Sequence, residues 1–198
     1  MEMQNKKKLP SFLYKVLKPV LGTLFKLYYN PKIIGKENIP KFGPILVVGN
    51  HKHLMDQCGP IVSTKRILHY MAKKEYFDGK FAWFFKAMGC ISVNRAIKDS
   101  DAKEKAISVL KEGGAIGLFP EGTRNRTKER LLPFKFGAVS MAKKTDAYLV
   151  PFAITGDYKF RSKNLTYRFG KPFKVSNMKL DEANKLLERK IRKLINKK

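Results

Sequence analysis

The strongest constraint on this fold is an alternation of short, uncharged β-type runs with longer helical patterns. Ile45-Leu46-Val47-Val48 and Ala115–Phe119 are continuous apolar runs of strand length. Such runs suit strands buried on both faces. Between them lies a helical pattern from Asp99 to Glu112, with caps at Asp99-Ser100-Asp101 and a Gly113-Gly114 stop. Further strands are expected at Lys32–Gly35, Ile67–Met71, Cys90–Val93, Tyr148–Ile154 and Leu165–Phe169. Helices are expected at Phe81–Met88, Phe136–Lys144 and Asp181–Asn196. The order predicts an α/β fold with a mostly parallel central sheet flanked by helices. Ligands of such sheets bind outside the carboxyl ends of the strands.

Two polar clusters stand at such ends. After Ile45–Val48 comes Asn50-His51-Lys52-His53-Leu54-Met55-Asp56. Positions five apart on a helix point about 140° from each other. His51 is therefore expected in the loop, with Asp56 in the first turn that follows. A carboxylate there can hold one ring nitrogen and leave the other free to take a proton from a substrate hydroxyl. After Ala115–Phe119 comes Pro120-Glu121-Gly122-Thr123-Arg124. Backbone amides with an Arg fork suit a phosphate monoester. Lys135 adds a cation near a helix start, and Arg95, closing the strand at Cys90–Val93, is a third candidate for the same anion. Taken one at a time, each cluster is also compatible with an ordinary loop.

Together these motifs resemble the 1-acyl-glycerol-3-phosphate acyltransferase family. Asn50, His51 and Asp56 match its first motif and Arg95 ends its second. Phe119 through Arg124 is its Phe-Pro-Glu-Gly-Thr-Arg block, and Val150-Pro151 its fourth motif. His53 stands where the family usually has Ser. The resemblance implies transfer of a fatty acyl group from an acyl-CoA or acyl-carrier-protein thioester to the sn-2 hydroxyl of 1-acyl-sn-glycerol-3-phosphate, giving phosphatidic acid for phospholipid synthesis. It implies His51 as general base and Asp56 as its orienter. Arg95, Glu121, Gly122, Thr123, Arg124 and, more weakly, Lys135 would hold the phosphate, and Asn50 would order the loop. A thioester is already activated, so no cofactor and no metal is expected. Another lysophospholipid or glycerol-3-phosphate is an alternative acceptor.

Charge and the N-terminal segment bear on location. The 42 Lys and Arg against 16 Asp and Glu give a net charge of +26. That excess calls for an anionic partner. An anionic membrane surface and a lysophospholipid account for it, and no nucleic-acid motif is present. Residues 1–30 are expected to form amphipathic membrane-anchoring helices, ahead of an acyltransferase domain at 31–198. Leu9–Tyr29 carries Phe12, Leu13, Val16, Leu17, Val20, Leu21, Leu24, Phe25 and Tyr28 at helical spacing. Ser11, Lys15, Lys18, Gly22 and Lys26 lie on the other face. Its apolar residues contribute roughly 3–6 kcal/mol toward bilayer insertion, whereas Lys15 and Lys18 cost about 2.5–3.5 kcal/mol each. An interfacial helix at the cytoplasmic face of the cell membrane, lysines toward lipid phosphates, is expected rather than a span. A helix packed on the domain core is the alternative. Pro19 is expected to kink it or split it in two.

Three other functions compete. His51, His53 and Asp56 resemble a metallohydrolase cluster, with only His69 in reserve. Cys58 could be a thiol nucleophile. The basic stretches Lys6–Lys8 and Lys185–Lys193 would serve a non-catalytic membrane- or nucleic-acid-binding protein.

Overall fold

The computed structural model describes residues 11–94, 96–97 and 99–197. Lys6–Lys8, Leu9 and Arg95 fall outside these residues. Helix α1 (Ser11–Tyr29) and strand β1 (Lys32–Ile34) come first. A 3-10 turn at Lys36–Asn38 then leads into β2 (Ile45–Gly49). Next are α2 (Cys58–Ser63), β3 (Leu68–Lys73), the short helices α3 (Glu75–Asp78) and α4 (Ala82–Ala87), and β4 (Ile91–Val93). The chain continues through α5 (Ser100–Lys111), β5 (Ala115–Leu118), α6 (Gly137–Thr145), β6 (Tyr148–Thr155), β7 (Thr166–Phe169) and α7 (Leu180–Ile195).

The strands form one sheet in the order β1-β7-β6-β2-β5-β3-β4. Every neighbouring pair is parallel except β6 and β7. The expected α/β architecture is present, with β2 at its centre. Leu46 and Val48 face a core shared with α5, α6 and α7, whereas Ile45 and Val47 face a second core against Phe25, Leu68, Tyr167 and Phe169. All four β2 residues are fully buried. This explains why the run does not alternate in polarity. At the start of α5, Asp99 accepts from the backbone N–H of Ala102 at 2.9 Å and from that of Asn94 at 2.7 Å. It therefore caps the helix as its sequence position implies.

Helix α1 departs from expectation in two ways. It runs unbroken through Pro19. A proline removes one N–H and one intrahelical bond, and the helix continues past it, docked by Tyr14 and Lys18 before it and by Phe25 after it. Its two faces are also not divided as expected: Lys15 and Lys26 are exposed, but Lys18 and Gly22 of the same row turn inward, and Phe25 of the apolar row is buried. Lys18 does not point away from the protein: its ammonium donates to the carbonyls of Thr64 (2.5 Å) and Arg66 (3.0 Å). Burial lowers its pKa to about 8. Tyr14 and Phe25 are buried beside it, and Gly22 sits so close to α2 that a Cβ there would lie 2.9 Å from Val62 Cγ1. The row turned to solvent is apolar: Phe12 is 74% exposed, Leu27 67% and Leu24 58%, with Val16 and Val20 between. Apolar residues cover most of this helix's circumference. The small Gly22 and the long Lys18 stem let the nominally polar side dock closely. Among the described residues, no helix is long and apolar enough to cross a membrane.

Candidate active site

Strands β2 and β5 are neighbours in register, with Val48 opposite Leu118. The two polar clusters, about 70 residues apart in sequence, therefore leave the sheet side by side at its carboxyl edge. His51 lies in the loop after β2, and Asp56 lies in the turn before α2 rather than inside that helix. His51 Nδ1 meets Asp56 Oδ2 at 2.8 Å. The imidazole stacks on Phe119, ring centroids 4.1 Å apart and planes 10° from parallel. Asp56 is fully buried, and its side-chain Oδ2 also accepts from the backbone N–H groups of Lys52 (2.6 Å) and His53 (2.7 Å). A buried carboxylate with this many donors is fixed in orientation. With Nδ1 held, Nε2 is the nitrogen left to accept a proton.

Glu121 bridges the loops. One carboxylate oxygen accepts from His51 N–H at 2.7 Å and the other from Leu132 N–H at 2.8 Å. Burial raises its pKa and these two hydrogen bonds oppose the rise. Both oxygens thus face backbone donors. Asn50, also buried, pairs with Ile154 in both directions, accepting at 2.7 Å and donating at 3.0 Å. It ties the loop to the end of β6.

A cleft of about 1750 Å³ opens at this edge. His51, Gly122, Thr123, Arg124 and Lys135 line its polar part. Gly122 has φ +71°, and a Cβ there would lie 2.9 Å from Lys135 Cε. A glycine both permits this turn and leaves room for the lysine stem. Arg126 lines the same wall. The rest is apolar, with Leu24 and Phe25 of α1 on one side and Tyr76, Phe81, Phe84 and Phe85 on another. The aromatic segment 76–85 thus lines the cleft, while its Trp83 is 58% exposed. Of the expected residues of the β2 and β5 loops, His51, Gly122, Thr123 and Arg124 line the cleft, whereas Asn50, Asp56 and Glu121 are buried and do not line it. Glu121, expected at the phosphate, uses both oxygens on backbone N–H groups instead. Arg95 lies outside the described residues.

The residues behind the competing readings sit differently. His53 stacks on Tyr158 at 4.1 Å, and its Nδ1 accepts from Met55 N–H at 3.2 Å. It is a turn acceptor here, a bond a short hydroxyl could also make. His69 Nδ1 meets the Gly89 carbonyl at 2.7 Å, away from His51. Among the described residues, no three of His, Cys, Asp and Glu cluster as a metal site. Cys58 lies at the cleft wall, but burial, with the Asp56 charge adding to it, pushes its thiol up to about 12. It is a poor nucleophile near neutrality.

Two residues escape a reading of the sequence alone. Tyr158, 102 positions from Asp56, donates to Asp56 Oδ1 at 2.5 Å, and Tyr167 meets Tyr158 hydroxyl to hydroxyl at 2.5 Å. The one signal for Tyr158 is topological: it follows β6, whose carboxyl end borders the same edge.

Comparisons with known proteins agree with this geometry. The Acyltransferase family model matches residues 30–155. The 1-acyl-sn-glycerol-3-phosphate acyltransferase of Bacillus subtilis is 35% identical over 147 residues, covering 73% of this chain and 72% of the relative. That of Borreliella burgdorferi is 37% identical over 141 residues, covering 70% of this chain but 56% of the relative. The chain thus spans little more than half of that second relative's length. The crystal structure of the 1-acyl-sn-glycerophosphate (LPA) acyltransferase from Thermotoga maritima superposes with a TM-score of 0.76 over 96% of this chain and 81% of that one. At 24% identity it speaks to the fold. From β1 through β6, including the His51 loop and the Glu121 loop, this chain belongs to the 1-acyl-sn-glycerol-3-phosphate acyltransferase family.

Proposed function

We propose that the protein transfers a fatty acyl group from an acyl-CoA or acyl-carrier-protein thioester to the sn-2 hydroxyl of 1-acyl-sn-glycerol-3-phosphate, giving phosphatidic acid. The observation that carries this reading is the single cleft joining the Asp56-braced imidazole of His51, the cations Arg124 and Lys135, and an apolar wall. A lysophospholipid has the matching three parts: a hydroxyl, a phosphate and a chain.

In this reading the acceptor phosphate rests against Arg124 and Lys135, with Gly122 and Thr123 beside them. Arg95, at the end of β4 in sequence, remains a candidate for the same group. Anchoring the phosphate positions the hydroxyl at His51 Nε2 and converts part of the barrier into binding. His51 takes the hydroxyl proton as the oxygen attacks the thioester carbonyl carbon. A C–O bond forms, the tetrahedral intermediate collapses, and the C–S bond breaks. The thiolate leaves and recovers the proton from the imidazolium. Asp56 holds the ring and stabilises its charged form. Glu121 contributes by fixing His51 and the segment at Leu132, since a carboxylate facing a phosphate would repel it. No cofactor is needed, because the thioester supplies the activated acyl group.

The same reading has the protein lie on an anionic membrane at the cytoplasmic face. The exposed apolar row of α1 adjoins the cleft wall formed by Leu24 and Phe25, so an acceptor could pass from lipid into the site. The excess of basic residues favours anionic lipid by about 1 kcal/mol for each Lys or Arg near the surface.

The test is an assay of the purified chain with mixed thioesters and mixed lysolipids, read by lipid mass spectrometry. Wild type is expected to form phosphatidic acid, and His51→Ala to form none while keeping its fold. Normal turnover by a folded His51→Ala protein overturns the reading.

A further inference from the structure

We infer that Tyr158 is a positioning residue for the His51–Asp56 pair, acting through the second oxygen of the Asp56 carboxylate. The inference rests on the proposed role of His51 and adds to it a residue outside the four family motifs.

Oδ2 of Asp56 receives three of the carboxylate's hydrogen bonds: from His51 Nδ1, Lys52 N–H and His53 N–H. Among the described residues, the donor to Oδ1 is the Tyr158 hydroxyl, at 2.5 Å. Asp56 is fully buried, so an unpaired Oδ1 would be a desolvated charged atom. Burial and the neighbouring Asp56 charge push the Tyr158 phenol far above its ordinary range, so it stays a neutral donor. Its single proton goes to Asp56, and Tyr167, 2.5 Å away, must then donate to it. The relay has one direction: Tyr167 to Tyr158 to Asp56, with His51 donating from the opposite side. The carboxylate plane is thus gripped from both ends, and that plane fixes the imidazole.

The segment carrying Tyr158 is itself anchored at several points. Lys52 donates through its ammonium to the Gly156 carbonyl. Asp157 N–H donates to Asn164 Oδ1 at 3.0 Å. Arg161 N–H donates to the Tyr28 carbonyl at 2.6 Å, at the end of α1. The Tyr158 ring stacks on His53 and meets Tyr29 edge-on at 5.4 Å. Tyr158 does not line the cleft. Its effect on the reaction passes through Asp56 rather than through substrate.

The experiment compares full-length wild type with Tyr158→Phe, Tyr167→Phe and His51→Ala in steady-state acyl transfer. Acyl-CoA and 1-acyl-sn-glycerol-3-phosphate are presented in mixed micelles, and activity is expressed per folded protein by near-UV circular dichroism. Tyr158→Phe keeps the ring and its stacking and removes one hydroxyl. Its kcat is expected to fall about 10- to 100-fold, the range for a lost hydrogen bond to a charged group. Both KM values are expected to stay within about twofold, marking loss in the transition state rather than in binding. Tyr167→Phe should repeat the pattern more weakly, and it carries the test if Tyr158→Phe does not fold. Wild-type kcat in the folded variants, or a change confined to KM, overturns the inference while an inactive His51→Ala leaves the base assignment standing. Turnover by His51→Ala removes the base assignment and this inference together.

Discussion

Glu121 Oε1 accepts a hydrogen bond from the backbone N–H of His51 at 2.7 Å. The carboxylate of the Phe-Pro-Glu-Gly-Thr-Arg block thus positions the histidine of the other motif, while Arg124, three residues along, faces the cleft. A short stretch of sequence serves two purposes because, in the loop after β5, the Glu121 side chain is buried under the His51 backbone while that of Arg124 lines the cleft.

Glu121→Gln tests that relationship. The amide offers one acceptor and one donor where two backbone N–H groups need acceptors. A buried N–H left unpaired costs about 1–3 kcal/mol. Urea denaturation is expected to show a loss of this size, accompanied by a lower kcat because His51 loses its backbone tether. A variant with unchanged stability and only a raised acceptor KM would return Glu121 to direct phosphate contact.

Arg124→Ala addresses the anion site. The guanidinium is expected to contribute about 1.5–3 kcal/mol through charge-assisted hydrogen bonds to phosphate. The acceptor KM should rise at least tenfold, with little change in KM for the thioester. Equal KM values for wild type and variant would remove Arg124 from the phosphate site.

The thiols give a pH-dependent outcome. Burial holds Cys58 at about 12 and Cys90 at about 11, both above an ordinary thiol. A raised pKa means less thiolate at any given pH below it, so alkylation slows. Maleimide labelling of the folded protein between pH 7 and pH 9 should be slow at both sites and rapid after unfolding in guanidinium. Cys58→Ala should retain activity. Fast labelling of folded protein with matching inactivation would reinstate a thiol mechanism.

The outer face of α1 makes the membrane prediction. Deleting residues 1–29 would also strip Tyr14, Lys18 and Phe25 from the core, so point changes are the cleaner test. Val20→Gln combined with Leu27→Gln alters exposed positions only. Removing two exposed apolar side chains is expected to reduce sedimentation with anionic vesicles about tenfold or more, at unchanged thermal midpoint. Undiminished sedimentation would dissociate this face from lipid binding.

Much of this protein was readable from local pattern. The runs Ile45–Val48 and Ala115–Phe119 dictated buried parallel strands, and chain order put His51 and Glu121 at their carboxyl ends. The spacing of Asn50, His51 and Asp56 suffices for the imidazole–carboxylate contact because all of it is made within one loop. Tertiary structure decided the rest. Only the β2–β5 register brings the Glu121 carboxylate under the His51 backbone, and only the return of β6 brings Tyr158 to Asp56. Helix α1 makes the same point: its periodicity announced a helix, but Lys18 turned inward, where the carbonyls of Thr64 and Arg66 accept from its ammonium. Local sequence sets backbone conformation through sterics and apolar spacing. Which face is buried, and what a buried charge binds, depends on atoms that arrive from far along the chain.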